Sequence, residues 1–525
     1  MSGSVYRKVG VAAIIMMASI FLSRVLGVLR ESVLAALCGA GTAVDAYKAA
    51  FVLPEILNHI TASGFFATTF IPIFSRYLAD KDEAGAWRIF SVILSIFGLA
   101  LCVLIAGAMA LAPQLMALLT HGRPDPIFQA MATRMTRILL PAQFFFFVGG
   151  ILMATQYARE QFFKPALAPL IYNLGIILGG MALARPMGVE GFAWGALGGA
   201  LVGHFLLQIL GAGRQGMRFE FVFDWRHPDV RHYLLLTLPL MFGLTMTFST
   251  EIFSKFFGSY LPAGAITHID FAWRIILMLV GFFGQAVGVA AYPFLARLAA
   301  EKRLPEMNQL FNNTLRYLAM VIPVSLLVFL VRHEIVAVLF QRGDFKAADT
   351  NATALALAGM VVGAVAFTAQ TVVNRGFYAM QNTLLPTVYG SLAVLLSLPL
   401  YWIGLKTLGV LGIGLAISAS ALAQVGLLYT VWNRRSRNAG SRAVYRFYFK
   451  SLLISLPVAG LLLVSKRLFS AWLGSGSLWR SLLMIAAQSL FFLLLMALAT
   501  WLFRIEEARV LWRKAAGRLP FLRQA

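Results

Sequence analysis

Apolar residues occur in long runs along this chain, and short polar segments separate the runs. A run of about twenty apolar residues is long enough for a helix to cross a lipid bilayer. The pattern predicts fourteen transmembrane helices. Their predicted ranges are 9–37, 44–70, 88–112, 129–155, 166–184, 190–212, 232–258, 265–295, 311–332, 350–376, 386–406, 409–431, 447–468 and 478–503.

The polar and small residues that punctuate these runs recur at a fixed interval of 221 residues. For example, 293−72 and 297−76 both give 221. A register kept over more than a hundred residues indicates duplication, and duplicated halves are typical of membrane transporters. The matched positions include Pro72 and Pro293, Arg76 and Arg297, Gly122 and Gly343, and Gly188 and Gly409.

The interval predicts an all-α polytopic membrane protein with two pseudo-symmetric six-helix lobes and two extra C-terminal helices. The expected boundaries are 1–222 for the N-lobe, 223–432 for the C-lobe, and 433–525 for helices 13–14 and a basic tail. Six spans separate corresponding helices, so the two repeats are expected to be parallel. In such transporters the substrate site lies between the halves near the bilayer midplane.

Composition supports a membrane protein: 60% of residues are hydrophobic and 12% are charged. The net charge of +23 resides largely in alternate loops, such as 433–446, and in the tail. By the positive-inside rule, both termini are expected in the cytoplasm, with the chain in the bacterial inner membrane and in contact with its lipids. Nucleic-acid binding is not expected. Cys38 and Cys102 lie in apolar runs and indicate neither a disulfide framework nor a metal site.

Charged and polar side chains lie inside several predicted spans, where one charge costs about 2.5–3.5 kcal/mol. They are concentrated in the first two helices of each half. The set comprises Ser23, Arg24, Arg30 and Glu31 in helix 1; Asp45, Lys48, Glu55, His59 and Ser63 on one face of helix 2; and Glu251, Lys255, Asp270 and Arg274 in helices 7 and 8.

Two interpretations account for these charges. The first is structural: local ion pairs, with Lys48 near Asp45 and with Glu251 and Lys255 one helical turn apart, or long side chains that reach the membrane interface. The second is a cavity prepared for an anion, because arginine presents planar, bidentate donors to phosphate oxygens. The second interpretation is favoured by three arginines inside predicted spans, Arg24, Arg30 and Arg274, because they outnumber the carboxylates near them.

Enzyme motifs are not persuasive, so the chain is not expected to be an enzyme or to hold a cofactor. His333-Glu334 lacks the second histidine of a zinc site, and the glycines at 412 and 414 are expected to serve close helix packing. No phosphate-cradling loop for ATP is present. An ion gradient, the membrane potential or the gradient of the substrate must therefore drive transport, and the sequence leaves the coupling ion open.

Four segments, 23–57, 64–77, 339–345 (LFQRGDF) and 375–387 (RGFYAMQNTLLPT), resemble the MurJ (MviN) family of lipid II flippases. That family belongs to the multidrug/oligosaccharidyl-lipid/polysaccharide exporter superfamily, and the resemblance covers about residues 10–500. It implies fourteen helices in two lobes, with the last pair forming a groove for a polyprenyl tail. It also implies alternating access that carries undecaprenyl-diphosphate-linked peptidoglycan precursor outward, with cell-wall synthesis proteins as possible partners.

The resemblance also assigns individual positions. Arg24 and Arg30 match paired arginines of family helix 1, Asp45 matches the acid that opens helix 2, and Arg274 matches the helix 8 arginine that meets the diphosphate or its sugar. Departures from the family pattern are Val52 for a lysine, Asn58 for an arginine, Ser63 for a glutamate and Trp273 for an acid.

The expected substrate-binding residues are Ser23, Arg24, Arg30, Lys48, Asn58, His59 and Arg274. The residues expected to gate or to balance charge are Glu31, Asp45, Glu55, Glu251, Lys255 and Asp270. Because of the departures, a flippase for another polyprenyl-diphosphate-linked glycan, such as an O-antigen or capsule unit, stays an alternative. A cation-coupled small-molecule exporter fits less well, because the deep arginines oppose cationic cargo, and a scaffold for envelope assembly would leave the charges unexplained.

Overall fold

The computed structural model describes residues 2–61, 65–235, 249–473 and 477–502, and every regular element in these ranges is helical. The predicted all-α class is confirmed. The elements up to residue 213 are α1 (Ser2–Cys38), α2 (Thr42–Ala50), α3 (Val52–Thr61), α4 (Phe65–Ala79), α5 (Glu83–Ala110), α6 (Ala112–Leu119), α7 (Pro126–Leu139), α8 (Ala142–Ala158), α9 (Phe163–Met187), α10 (Glu190–Ala200), the π-helical turn π1 (Leu201–Leu206) and α11 (Leu207–Gly213).

The elements from residue 249 onward are also helical. They are α12 (Ser249–Gly258), α13 (Ala265–Leu279), the π-helical turn π2 (Val280–Gln285), α14 (Ala286–Ala300), α15 (Leu304–Leu318), α16 (Val321–Leu330), α17 (Arg332–Phe340), α18 (Ala347–Val361), α19 (Ala364–Ala379), α20 (Leu384–Leu408), α21 (Val410–Arg435), α22 (Ser441–Leu473) and α23 (Leu478–Leu502).

Within the described ranges, ten helices are long and apolar enough to cross a membrane, or eleven if α18 and α19, bent by 48°, form one span. Of the three other predicted spans, 9–37 is present as the continuous helix α1. The spans predicted at 44–70 and 232–258 include residues 62–64 and 236–248, which lie outside the described residues, as does Ser63. The count of fourteen therefore stays a prediction.

The duplication is visible in the local backbone. Helices α9 and α20 both contain 25 residues, and their first residues and last residues are 221 apart (384−163 and 408−187). Gly188 and Gly409, which follow them, both have φ of 58°, a left-handed conformation that glycine adopts without steric cost. Other left-handed residues at this interval are Lys81 and Lys302, Glu160 and Gln381, and Gly216 and Arg437.

The chain forms two compact units. Unit 1 comprises Met1–Phe271 and Phe340–Asp349. Its core is an aromatic cluster between α4, α5 and α8, in which Phe70, Phe74, Trp87, Phe90 and Phe147 are almost fully buried. The short segment Phe340–Asp349 is fastened to the end of α1, where the amide of Asp344 donates to the carbonyl of Ala36 at 3.0 Å.

Unit 2 comprises Ala272–Leu339 and Thr350–Ala525. Its larger core joins α14, α15, α19 and α21 through Leu295, Phe311, Val372 and Trp432. A smaller cluster joins α22 and α23 to α16, with Val458, Leu462 and Phe492 buried. The glycines predicted to serve close packing do so: a Cβ at Gly412 would lie 2.0 Å from the carbonyl oxygen of Gly404.

Helix 2 of the prediction is interrupted before Pro54, where Phe51 separates α2 from α3. Pro54 has no N–H to donate to the carbonyl of Ala50, four residues earlier. The Oγ1 of Thr136 on α7 donates to that carbonyl at 3.3 Å. The break divides the polar face of this helix into two parts, which make separate contacts.

Candidate functional site

Four charged side chains form a continuous buried chain in unit 1. Lys48 Nζ lies 2.5 Å from Glu31 Oε2 and 2.8 Å from Asp270 Oδ2. Arg30 Nη2 lies 2.6 Å from the other oxygen of Glu31. The turn after α1 reverses the chain, and Lys48 of α2 contacts Glu31 of α1, 17 positions earlier. The sequence-predicted residues Arg30, Glu31, Lys48 and Asp270 are therefore brought together.

This cluster is balanced in charge and nearly closed to solvent. The exposed fractions of the Glu31, Lys48 and Asp270 side chains are 3%, 5% and 7%, whereas Arg30 retains 18%. Burial of an unpaired charge would cost several kcal/mol, and pairing offsets that cost only when the geometry is good. Lys48 is held between two carboxylates and also lies 5.1 Å from the centre of the Phe271 ring. Its ammonium is thus fixed in place.

The guanidinium of Arg30 extends the cluster toward α9. Its Nη1 donates to Asn173 Oδ1 at 3.2 Å, and Asn173 Nδ2 donates to Ser23 Oγ at 3.2 Å. Arg24, six residues earlier on α1, is exposed, whereas Ser23 and Arg30 are partly buried. The two arginines therefore differ: Arg30 is already anchored, and Arg24 presents its donors to the surroundings.

Asp45 forms a separate site at the start of α13. Its carboxylate accepts from the amides of Gly264 at 2.7 Å and Thr267 at 2.8 Å, and from Thr267 Oγ1 at 2.6 Å. Arg123 Nη1 lies 2.8 Å away and donates a fourth hydrogen bond. The first amides of a helix have no partner within the helix and carry partial positive charge. Asp45, with an exposed fraction of 0%, caps α13 from another helix.

The second part of the helix 2 face makes other contacts. Lys255 Nζ on α12 lies 3.3 Å from Glu55 Oε2. Asn58 and His59 are partly buried on α3, and Glu251 on α12 lies close enough to His59 to interact with it electrostatically.

Arg274 is partly buried in unit 2, one turn after Asp270 along α13. Its neighbour Trp273, which stands where the family has an acid, packs edge-on against Phe367 at 5.0 Å.

The interpretation of Lys48 and Asp45 as a local pair does not hold in the structure. Both residues take partners that are distant in sequence: Glu31 and Asp270 for Lys48, and Arg123 with the start of α13 for Asp45. A local rule considers only neighbours on the same helix, and here α1 and α13 offer the better-placed carboxylates.

Sequence reasoning missed three residues of these sites, Arg123, Asn173 and Thr267. Arg123 lies in a loop that contains other charged residues, and Asn173 is a single amide in a long apolar helix. The sequence around either residue therefore does not mark it as part of a site. A signal existed for Thr267. The sequence Pro262-Ala263-Gly264 before α13 offers no capping side chain, and a buried helix start without one needs an acceptor from elsewhere.

Comparisons with known proteins were consistent with one another. The model of a family described as "Lipid II flippase MurJ" matches residues 34–486. A protein of Vibrio cholerae named "Probable lipid II flippase MurJ" is 26% identical over 487 residues, which cover 90% of this chain and 92% of that protein. The "Lipid II flippase MurJ" of Burkholderia cenocepacia is 25% identical over 449 residues, covering 84% and 87%.

Solved structures show the same fold. A structure titled "Lipid II flippase MurJ, inward closed conformation" has a TM-score of 0.77 at 20% identity and covers 94% of this chain and all of its own. An inward-facing multidrug resistance MATE family transporter of the MOP superfamily has a TM-score of 0.66 at 14% identity, covering 81% and 96%. At these identities the likeness speaks for the fold alone.

Proposed function

This chain belongs to the lipid II flippase MurJ family, and from that premise we propose that it moves the undecaprenyl-diphosphate-linked peptidoglycan precursor from the inner to the outer leaflet. It is a multi-pass membrane protein. We place it in the bacterial cytoplasmic membrane with both termini in the cytoplasm, because its basic loops fall on one side of the predicted spans.

The buried chain of Arg30, Glu31, Lys48 and Asp270 carries this proposal. Two carboxylates hold two cations in a poorly hydrated place, where a charge is tolerated only with partners. An entering diphosphate offers oxygens that compete with Glu31 for the donors of Arg30. Arg24 is exposed and supplies further donors. Arg274 is proposed to bind the head group as well, as the family resemblance implies.

In the proposed mechanism the diphosphate replaces carboxylates as the partner of the buried cations, and this replacement links substrate binding to a conformational change. When the diphosphate takes the cations, Glu31 loses part of its neutralisation, and the arrangement in which Lys48 bridges Glu31 and Asp270 becomes less favourable. A ligand shifts a conformational equilibrium only by its difference in affinity for the two states. Here that difference arises because the carboxylates and the phosphates compete for one set of donors.

Asp45 has a different role in the proposal. By the proposed topology it lies at the periplasmic end, where it fastens α2 and the loop residue Arg123 to the start of α13. Release of these hydrogen bonds accompanies opening toward the periplasm. The contact between Glu55 and Lys255 and the neighbouring His59 are proposed to adjust the charge of the cavity, in place of the family arginine that is Asn58 here.

The polyprenyl tail needs an apolar surface. Helices α22 and α23 carry exposed leucines along their length, among them Leu456, Leu461, Leu490 and Leu494. We propose that these two helices accompany the tail while the head group crosses.

Complementation tests the proposal. In a strain depleted of its own lipid II flippase, this chain should restore growth, and Arg24→Ala and Arg274→Ala should abolish growth at normal expression. Full activity of both variants would sink the assignment of these arginines. A strain that keeps its wall but loses a surface glycan when the native copy of this gene is deleted would instead favour another polyprenyl-linked cargo.

A further inference from the structure

Arg375 is an arginine of unit 2 that takes no part in the function proposed above. It lies on α19, inside the segment 375–387 that resembles the family, and is partly buried. Its Nη2 donates to Gln285 Oε1 at 2.9 Å. Gln285 is the last residue of π2, and π-helical turns within α-helices occur frequently at functional sites.

The backbone near Arg375 is shaped to accept the guanidinium. A Cβ at Gly288 would lie 2.0 Å from Arg375 Nη1, so any larger residue there would displace the guanidinium from its present position. One turn earlier, Gly284 lies against α19, and Thr371 Oγ1 donates to its carbonyl at 2.9 Å. The turn π2 and the glycines Gly284 and Gly288 together form the surface against which the Arg375 side chain packs, called here its seat.

The donors in this seat are not fully used. Arg375 Nη1 is buried and has no hydrogen-bond partner among the described residues, and no carboxylate in those ranges forms an ion pair with this arginine. A buried donor without a partner costs about 1–3 kcal/mol, so such a group needs an explanation. Tyr292 and Tyr378 lie close enough to interact with the guanidinium electrostatically, and 37% and 38% of their surfaces are exposed.

We propose that Arg375, with the hydroxyls of Tyr292 and Tyr378, binds the phosphate oxygens of the transported lipid. This inference rests on the proposed function and adds a binding site to it. A guanidinium without an ion-pair partner in the described ranges, with two tyrosine hydroxyls in electrostatic range, suits an oxyanion, and charge-assisted hydrogen bonds to phosphate are the strong ones. The residue at the same place in the first repeat is Ala154 (375−221), so the second half alone holds this site.

Binding to the purified full-length protein in nanodiscs tests the site. The probes are undecaprenyl diphosphate, undecaprenol as the phosphate-free match, and phosphatidylglycerol as the bulk phospholipid. Arg375→Gln should raise the Kd for undecaprenyl diphosphate about tenfold or more, and Tyr378→Phe about fivefold, without change for undecaprenol. Gly288→Ala keeps the charge but displaces the guanidinium, and it should weaken binding as well.

Arg434→Gln is the matched control, because Arg434 is an exposed arginine of the same unit. Weaker diphosphate binding by Arg375→Gln and Gly288→Ala, with the control unchanged and all melting temperatures alike, supports the site. Equal binding by Arg375→Gln and the wild type overturns it. A loss confined to phosphatidylglycerol overturns its assignment to the transported lipid. A wild-type protein that binds the diphosphate no better than undecaprenol contradicts the proposed function itself, and the site with it.

Discussion

Lys48 and Asp270 are 222 residues apart in sequence, yet Lys48 Nζ lies 2.8 Å from Asp270 Oδ2 inside unit 1. The same ammonium contacts Glu31, so one lysine joins α1, α2 and α13. The contact places an acid from the second sequence repeat beside the helices that begin the first. It explains part of the concentration of charge in the first two helices of each repeat, since Lys48 pairs with Asp270 and Glu55 with Lys255.

Replacement of Lys48 by methionine tests this junction. The variant keeps the length of the side chain but leaves the two carboxylates without the ammonium between them, and loss of one partner of a buried ion pair costs about 3–5 kcal/mol. We expect a lower melting temperature in detergent and loss of transport. Lys406→Met, at an exposed lysine, should change neither. Recovery of stability in the double variant Lys48→Met, Asp270→Asn would support charge balance, whereas a fully stable single variant would refute it.

Replacement of Asp45 by asparagine tests the cap on α13. The amide lacks the charge that Arg123 and the helix start stabilise, and loss of a cap typically costs about 1 kcal/mol. Amide hydrogen exchange at Gly264 and Thr267 should become faster, since both amides donate to Asp45. Asp125→Asn is the control, because this exposed residue caps α7 through the amide of Ile127. Unchanged exchange at Gly264 and Thr267 would show that the cap is dispensable.

Close packing of α9 on α10 makes a prediction about stability. A Cβ at Gly195 would lie 2.6 Å from the carbonyl oxygen of Gly175, so Gly195→Ala should destabilise the protein by about 1–3 kcal/mol. Gly198, on the same helix, has no atom within 4 Å of its Cβ position. Gly198→Ala should be neutral or stabilising, because alanine favours helix more than glycine does. Equal melting temperatures for the two variants would contradict this packing.

Asp229, in the helical stretch at 228–235, predicts a dependence of stability on pH. Burial raises the pKa of its carboxyl, but hydrogen bonds from Arg76 at 2.6 Å and Tyr77 at 2.7 Å outweigh burial, and the net pKa lies below its usual value. A carboxyl whose pKa is lower in the folded state stabilises the protein above the pKa it has when unfolded. That stabilisation is lost as the pH falls through the folded pKa.

Asp229→Asn should therefore unfold at lower denaturant than the wild type at pH 7, and the difference should shrink as the pH falls below about 4. Asp224→Asn, at a neighbouring, partly buried acid that accepts from the amide of Arg226, is the control. A gap between Asp229→Asn and the wild type that is constant from pH 7 to pH 3 would exclude the carboxylate as its source.

The sequence predicted the helical class and the repeat because both depend on local patterns. Apolar runs define spans, and Gly188 and Gly409 end equivalent helices in the same left-handed conformation. The partners of the charged residues were not predictable in this way. Lys48 finds Glu31 and Asp270 through a hairpin and a distant helix, and no spacing rule along one helix encodes those distances. Pro54 was a visible signal for the break, although its consequence, separate partners for Lys48 and Glu55, needed the fold.

The most direct test of the account measures where lipid II is accessible in cells. In a strain depleted of its own flippase, an impermeant external probe would quantify lipid II at the outer face while this chain or its Lys48→Met variant is expressed to the same level. We predict that the wild-type chain restores outer-face lipid II and that the variant leaves it inside. Lipid II that stays inside with the wild-type chain, or that reaches the outer face equally with the variant, would contradict the account.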